Sequence, residues 1–94
     1  MIVSFKSSET ERIFEGFVSR SYPSSIQKTA LRKLFLINAA GSVNDLRTPP
    51  GNRLEKLSGN RKSQYSIRVN NQWRICFIWT EESNAAQVEI VDYH

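Results

Sequence analysis

The sequence predicts a single α+β domain in which two N-terminal helices pack on a small antiparallel sheet. In the N-terminal half, apolar residues recur every three or four positions, which is the spacing of a buried helix face. In the C-terminal half, apolar and polar residues alternate, as they do in a strand with one buried face. A chain of 94 residues with 39% hydrophobic content can build one modest core and is too short for two domains.

The first elements are predicted from a short apolar segment and a helix-starting motif. Residues 2–5 are apolar enough to form an opening strand, and residues 8–11 (SETE) match the capping box that begins a helix. Four apolar residues then follow at helical spacing: Ile13, Phe14, Phe17 and Val18. We therefore expect a first helix that buries these four side chains.

A second, longer helix is predicted after Pro23. Residues 24–27 match another capping box, and Gly41 is placed to end the helix. Its apolar residues recur at helical spacing: Ile26, Ala30, Leu31, Leu34, Phe35 and Ile37. Two helices joined by a short link form a hairpin, and their apolar faces must be buried against another layer.

That second layer is predicted in the C-terminal half, after a turn-rich stretch over residues 41–52. Residues 65–69 and 73–79 alternate as strands, and residues 85–93 have the β-branched character of a final strand. An alternating stripe runs along the middle strand: Trp73, Ile75, Phe77 and Trp79. Aromatic residues beside cations can stack on bases, but a stripe of period two in so small a protein is assigned to the core.

The register of the first two long strands follows from which residues must share the buried face. Pairing Ile67 with Ile75 around the loop 70–72 buries one apolar set, and a slip of one residue would expose it. The same register places Arg68 directly opposite Arg74, and like charges facing each other are destabilising. An RNA phosphate between them would remove the penalty. The alternatives are that both side chains turn into solvent, or that Glu89 or Asp92 neutralises one of them.

The basic residues are concentrated in one part of the chain, whose formal net charge is +4. Between Arg47 and Arg74 there are seven basic residues and a single acid, Glu55, so the remainder is slightly acidic. One electropositive face is typical of phosphate binding. The plainer interpretation is a solvated basic surface.

The cysteine and hydropathy patterns favour a cytoplasmic protein that binds no metal or other cofactor. Cys76 is the single cysteine, so an intramolecular disulfide and a cysteine-based metal cluster are both excluded. No segment has the length of a membrane span, and the first residues do not resemble a secretion signal.

Two groups of residues could carry proton transfer. Glu55 is flanked by Arg53 and Lys56, which favour the ionised carboxylate that a general base needs, although a surface salt bridge is equally consistent. Asp92, Tyr93 and His94 stand in succession and could donate or accept protons, although a terminal histidine is more often solvated. In a strand, Tyr93 would point to the face opposite Asp92 and His94.

The sequence contains no glycine-rich phosphate loop, no metal-ligand spacing, and no serine or cysteine nucleophile paired with a histidine at a known spacing. An enzyme built from these residues would therefore take its nucleophile from the substrate, as when a ribose 2′-hydroxyl attacks a phosphate.

The C-terminal half resembles the HigB toxins of the RelE superfamily. The resemblance is carried by PPGNRLEKLSG (residues 49–59), YSIRVN (65–70), WRICF (73–77) and the terminal DYH. It implies an α+β, RelE-like fold with two N-terminal helices packed on a small curved antiparallel sheet. It also implies a ribosome-dependent endoribonuclease that cuts messenger RNA, and a partner antitoxin of the HigA type, a helix-turn-helix protein through which operator DNA is bound.

The resemblance implies roles for individual residues. Glu55 is the candidate base, His94 or else Tyr93 the candidate acid, and Arg74 the group that stabilises the phosphorane, with Asp92 also assigned to the active site. Some HigB toxins have histidine where this chain has Glu55, and lysine where it has Ser58. The residues expected to hold RNA backbone are Arg53, Lys56, Arg61, Lys62 and Arg68. If an RNA phosphate lies between the facing arginines, Arg74→Ala would abolish growth inhibition and cutting and leave thermal stability unchanged or slightly raised, and Arg68→Ala would act more weakly.

Three other functions are less consistent with the sequence. ParE-like proteins share the fold and inhibit DNA gyrase by binding alone, but the terminal DYH and Glu55 favour a nuclease. A DNA-binding regulator would need a recognition helix that is basic along one face. A metal-dependent nuclease would need clustered ligands, whereas here the acids are scattered and the histidine is single.

Overall fold

The computed structural model describes residues 1–61 and 63–93, and it confirms the predicted α+β architecture. The helices are α1 (Ser8–Phe14) and α2 (Ser24–Ala39), followed by three 3-10 turns over Val43–Arg47, Pro50–Asn52 and Gly59–Arg61. The strands are β1 (Glu55–Lys56), β2 (Gln64–Arg68), β3 (Trp73–Trp79) and β4 (Ala85–Asp92). Neighbouring strands are antiparallel, in the order β1-β2-β3-β4.

The core lies between the two helices and one face of the sheet. Ile67, Ile75 and Phe77 are fully buried together with the apolar face of α2. Side chains alternate between the faces of a strand, so Ser66, Arg68 and Arg74 point to the other face of the sheet. We call this second face the open face, because the helices do not pack on it.

The predicted register is confirmed. Ile67 pairs with Ile75 and Arg68 pairs with Arg74, as burial of the apolar residues requires. The backbone N–H of Val69 donates to the carbonyl of Trp73 at 2.9 Å and closes the hairpin around residues 70–72.

The predicted opening strand is wrong as a regular element. Ile2 and Phe5 form only isolated parallel bridges with Ala85 and Val88 of β4. Gln87 lies between these two partners with a φ of 51°, and its N–H donates to the side chain of Ser4 at 2.8 Å. This irregular residue interrupts the ladder along the edge of β4.

The predicted start of α1 is displaced by one residue. Ser7 is the N-cap, and its hydroxyl accepts a hydrogen bond from the N–H of Thr10 at 3.2 Å. The helix ends at Phe14, so Phe17 and Val18 lie beyond it, and their side chains are exposed rather than buried. The prediction failed here because Gly16, with a φ of 92°, turns the chain away before the next helical turn.

The second capping box is also wrong. Pro23 is the N-cap of α2 and Ser24 is its first residue. The Gln27 side chain instead binds the backbone before the helix, accepting from the N–H of Ser19 at 3.0 Å and donating to the carbonyls of Ser19 and Tyr22. This links the helix to the preceding turn.

The C-terminal end of α2 differs from the prediction by a small margin. The helix ends at Ala39 with Ala40 as an extended C-cap, so Gly41 follows the cap. Phe35 was expected on the buried face, yet it is 52% exposed and packs edge-on against Phe14, with the ring centroids 5.6 Å apart. None of the helices in the described ranges is long and apolar enough to cross a membrane.

The N-cap of α1 can be tested directly. Ser7→Ala should lower the free energy of unfolding by about 1 kcal/mol, because a serine cap satisfies an otherwise unpaired helix N–H. Ser8→Ala, one residue along, should have little effect, since Ser8 is exposed and is not the cap. Urea denaturation of both variants would measure the difference, and equal losses would contradict this cap assignment.

Candidate functional site

The open face of the sheet contains a cavity of about 360 Å³ beside the β2–β3 hairpin. Its lining residues are Arg53, Glu55, Arg68, Asn70, Asn71, Arg74 and Tyr93. Five of these were predicted as site residues from the sequence, whereas the two asparagines were not. With three arginines and one carboxylate among its lining residues, the cavity has a positive formal charge.

Arg74 is the most constrained of these side chains, since the residue is only 7% exposed. Its Nε donates to the hydroxyl of Ser66 at 2.7 Å, and its Nη2 donates to the carbonyl of Arg53 at 2.6 Å and to that of Ser66 at 3.2 Å. The remaining nitrogen, Nη1, lies 3.9 Å from the Glu55 carboxylate. Arg74 is therefore oriented by the protein, with one nitrogen directed at Glu55.

The facing arginines, Arg68 and Arg74, turn to different partners within the protein. The Arg68 guanidinium donates to the side-chain carbonyl of Asn71, while Arg74 turns towards Ser66 and Arg53. The two cations thus have different hydrogen-bond partners, and Arg74 also lies within ion-pair distance of Glu55. Because Arg74 is buried and bonded, its removal should cost stability, in contrast to the unchanged or raised stability that the sequence led us to expect of Arg74→Ala.

The hairpin loop supplies the two asparagines that were not predicted as site residues. The side-chain oxygen of Asn70 accepts from the N–H groups of Gln72 and Trp73, both at 2.8 Å, and so holds the turn closed. Asparagine in a tight turn is a known signal for such bonds. The sequence therefore indicated a turn at Asn70, but only the position of the cavity shows that this turn borders the site.

At the end of β4, the predicted catalytic residues Asp92 and Tyr93 lie apart, and only Tyr93 lines the cavity. The Tyr93 ring lies 5.8 Å from the guanidinium carbon of Arg74, on the open face. Asp92 pairs with Trp73 and accepts from the side chain of Gln72 at 3.0 Å, and it does not line the cavity. The backbone carbonyl of the same Gln72 accepts from the N–H of Tyr93 at 2.6 Å. His94 lies outside the described residues.

Glu55 and Arg53 reach the cavity from a short segment before β2. Glu55 pairs with Ser66, which places it on the open face, and its side chain is about half exposed. Arg53 ends the 3-10 turn Pro50–Asn52 with a φ of 44°, a conformation that non-glycine residues seldom adopt. That conformation presents the carbonyl that Arg74 uses.

The other predicted RNA-binding residues do not line the cavity. Arg61 donates to Glu89 at 2.8 Å and to Gln64 at 3.2 Å, and the hydrogen bond to Glu89 raises the pKa of Arg61. Lys56 is exposed on β1, where it pairs with Tyr65. Lys62 lies outside the described residues. Arg61 is therefore already neutralised within the protein, whereas Lys56 is exposed to solvent.

Cys76 shares the open-face register but is fully buried. Burial raises the pKa of its thiol, which keeps the sulfur protonated and a poor nucleophile. Within residues 1–61 and 63–93, no group of three or more histidine, cysteine, aspartate or glutamate side chains could hold a metal ion.

Comparison with known proteins gives a consistent set of relatives. The family model described as the RelE-like toxin of type II toxin-antitoxin system HigB matches residues 3–94. Toxin HigB-1 of Vibrio cholerae is 45% identical over 82 residues, covering 86% of both chains. An uncharacterized protein of Haemophilus influenzae is 40% identical over 79 residues, covering 84% of this chain and 76% of its own.

A solved structure extends the likeness to the fold. A chain of the YoeB-YefM complex from Staphylococcus aureus superposes with a TM-score of 0.56, covering 100% of this chain and 95% of its own. The sequence identity of that pair is 20%, so the likeness concerns the fold alone.

Proposed function

Because this chain belongs to the HigB-like family, the RelE-like toxins of type II toxin-antitoxin systems, we propose that it inhibits growth as a ribosome-dependent, metal-independent endoribonuclease acting on messenger RNA. The observation that carries the proposal is the cavity in which Arg74, Glu55 and Tyr93 meet on the open face of the sheet. These are a cation, a base and an acid, the three kinds of group needed to move a phosphoryl centre between oxygens.

In the proposed reaction, the ribose 2′-hydroxyl attacks the adjacent phosphorus while the Glu55 carboxylate accepts its proton. The bond from phosphorus to the 5′-oxygen then breaks, and that oxygen takes a proton from the acid. The products are a 2′,3′-cyclic phosphate and a 5′-hydroxyl. Arg74 would stabilise the negative charge that builds on the phosphorane, through the nitrogen that lies 3.9 Å from Glu55.

Two residues are candidates for the acid. Tyr93 has the right position, because its ring lies beside the Arg74 guanidinium. His94 follows it in the sequence, and its imidazole is a common general acid in enzymes. Asp92 would act indirectly, since Gln72 binds both its carboxylate and the backbone of Tyr93 and so keeps the end of β4 in place.

The same cavity suggests how RNA backbone would be held. Arg53 and Arg68 line it and would contact phosphates, which contributes affinity more than base selectivity. Lys56 and Lys62 are kept as further backbone contacts. Arg61 should contribute less than they do, because Glu89 already neutralises its charge.

The salt dependence of ribosome binding tests these roles. Arg53→Gln and Arg68→Gln should each reduce the slope of log affinity against log salt by about one, because each removes one phosphate contact. Arg61→Gln is the matched control and should change the slope little. The measurement is binding to programmed ribosomes across a series of salt concentrations. An equal change of slope for Arg61→Gln would contradict the proposal that Arg53 and Arg68 contact phosphates while Arg61 does not.

We further propose a cytoplasmic location and three partners: the ribosome, messenger RNA, and a HigA-type helix-turn-helix antitoxin through which operator DNA is contacted. The support for the antitoxin is the family itself, whose members belong to type II toxin-antitoxin systems. Co-expression with a HigA-type helix-turn-helix antitoxin, followed by co-purification, would test that partner.

The proposed activity predicts a large difference between two substrates. Messenger RNA on programmed ribosomes should be cut efficiently and naked RNA poorly. The site has few catalytic groups, so the RNA must be oriented by an external scaffold. The measurement is cleavage-site mapping with both substrates, including the end groups of the products. Equal cutting of naked RNA would contradict ribosome dependence, and inhibition of gyrase supercoiling without RNA cutting would indicate the ParE-like alternative.

A further inference from the structure

Lys33 is a buried cation on α2 that the proposed reaction does not use. The residue is 8% exposed, and its ammonium group donates a hydrogen bond to the side-chain oxygen of Asn52. In residues 1–61 and 63–93, no carboxylate lies within ion-pair distance of it. Burial lowers the pKa of Lys33, and the positive charges of Arg32 and Arg68 lower it further.

Such an arrangement is costly for stability alone. Removing an ammonium group from water is unfavourable, and a neutral amide returns less than a carboxylate would. A leucine or methionine at this position of α2 would avoid the cost. The position of the lysine therefore calls for an explanation beyond the core.

The bond to Asn52 connects Lys33 to the candidate site. Asn52 is fully buried, and its side-chain amide donates to the carbonyl of Leu46 at 3.1 Å and to that of Thr48 at 3.3 Å. One asparagine thus ties together the two 3-10 turns that precede β1. Lys33 anchors this asparagine to α2, across a separation of 19 residues in the chain.

The residue after Asn52 reaches the site itself. Arg53 adopts its left-handed conformation directly after the anchored asparagine, and its carbonyl accepts from Nη2 of Arg74 at 2.6 Å. A continuous path of hydrogen bonds and one peptide link therefore runs from Lys33, through Asn52 and Arg53, to Arg74. Glu55 follows two residues later on the same segment.

We propose that Lys33 is a positioning residue, whose bond to Asn52 sets the carbonyl of Arg53 and thereby the orientation of the Arg74 guanidinium opposite Glu55. The catalytic part of this inference rests on the proposed function, whereas the positioning of Arg74 does not. Lys33 has a second effect. Its charge interacts with that of Arg68, which lines the cavity, so the lysine increases the positive potential at that end of the cavity.

The test compares Lys33→Met with Lys28→Met, which removes an exposed lysine from the same helix. Two quantities are measured for each variant. The first is the exchange rate of the Arg74 Nε–H proton by NMR, with the backbone N–H of Cys76 in the same strand as a reference. The second is the single-turnover rate of cutting on programmed ribosomes, together with ribosome affinity.

In Lys33→Met, the Arg74 Nε–H proton should exchange at least about tenfold faster, while the exchange rate of the Cys76 N–H is unchanged. Local opening around Arg74 exposes only the first proton, whereas global unfolding would expose both. The cutting rate should fall by about 10- to 100-fold with little change in affinity, as expected for a misplaced catalytic group. Lys28→Met should change neither quantity. If Lys33→Met does not fold, Lys33→Gln replaces it and should give the same changes, since glutamine is polar but one bond shorter than lysine and so should lose the bond to Asn52.

A double-mutant cycle with Asn52→Leu separates the proposed path from other effects. If Lys33 acts through Asn52, the double variant should cut no more slowly than Asn52→Leu alone. Additive losses would overturn the path, as would unchanged Arg74 exchange in Lys33→Met. If the wild-type protein cuts no RNA but Arg74 exchange still responds to Lys33→Met, the positioning stands and the proposed function fails.

Discussion

Arg74→Ala should reduce the single-turnover rate of RNA cutting by about 10²–10³-fold, the usual loss when one oriented donor to a developing anion is removed. Arg74→Lys should not restore the rate, because a lysine cannot bind both Ser66 and Arg53 while directing a further donor at Glu55. Arg32→Ala, which removes an exposed arginine from α2, is the matched control. Cutting at the wild-type rate by Arg74→Ala would exclude the role of this residue in the reaction.

The same variant should also be less stable than the wild-type protein. Removing Arg74 leaves the hydroxyl of Ser66 and the carbonyl of Arg53 without this donor, at a cost of about 1–3 kcal/mol in the free energy of unfolding. Urea denaturation would measure the loss. Activity must therefore be assayed under conditions in which the variant is shown to be folded, so that the two effects are separated.

The second large effect is expected for Glu55→Gln. Glutamine keeps the size of the side chain but cannot accept a proton, so the cutting rate should fall by about 10²–10⁴-fold, as for other general bases. The free energy of unfolding should change little, because the Glu55 side chain is about half exposed and its approach to Arg74 is long at 3.9 Å.

The control for this substitution is Glu82→Gln, which removes an exposed carboxylate in the β3–β4 turn. Both proteins would be assayed for cutting at saturating enzyme, so that a difference in ribosome affinity does not enter the rate. If Glu55→Gln cuts as fast as the control, the base must be another group. His94 would then be the next residue to substitute.

The strand register and the facing arginines could be predicted because they depend on local alternation. Ile67, Val69 and Ile75 must share one face, which excludes a slip of one residue, and the short loop over residues 70–72 fixes the register. The position of Arg68 opposite Arg74 then follows. The separation of Asp92 from Tyr93 follows from the same alternation. The motifs between residue 49 and the terminal DYH likewise indicated the family, and the match of the family model to residues 3–94 confirms it.

The helix caps show where a local pattern is insufficient. Ser7 and Ser8 are neighbours and either could cap a helix, but the motif Ser8-to-Glu11 favoured the wrong one. The choice depends on how the chain enters the helix, and Ser7 is also within 3.3 Å of the Tyr22 hydroxyl. That contact joins residues that are 15 positions apart and has no counterpart in the local sequence.

Local patterns were sufficient to predict the class of fold and the register of β2 with β3, and the resemblance to the HigB toxins added roles for most of the residues around the cavity. Tertiary packing decided which cations are free to contact a ligand. Arg61 is bonded to Glu89, which is 28 positions away in the sequence, and Lys33 to Asn52, which is 19 positions away. Alternation and helical spacing act over a few residues, and they set which face a side chain occupies. The partner that a charged group finds depends instead on how distant segments pack, and this is why Arg74 proved to be buried and bonded within the protein.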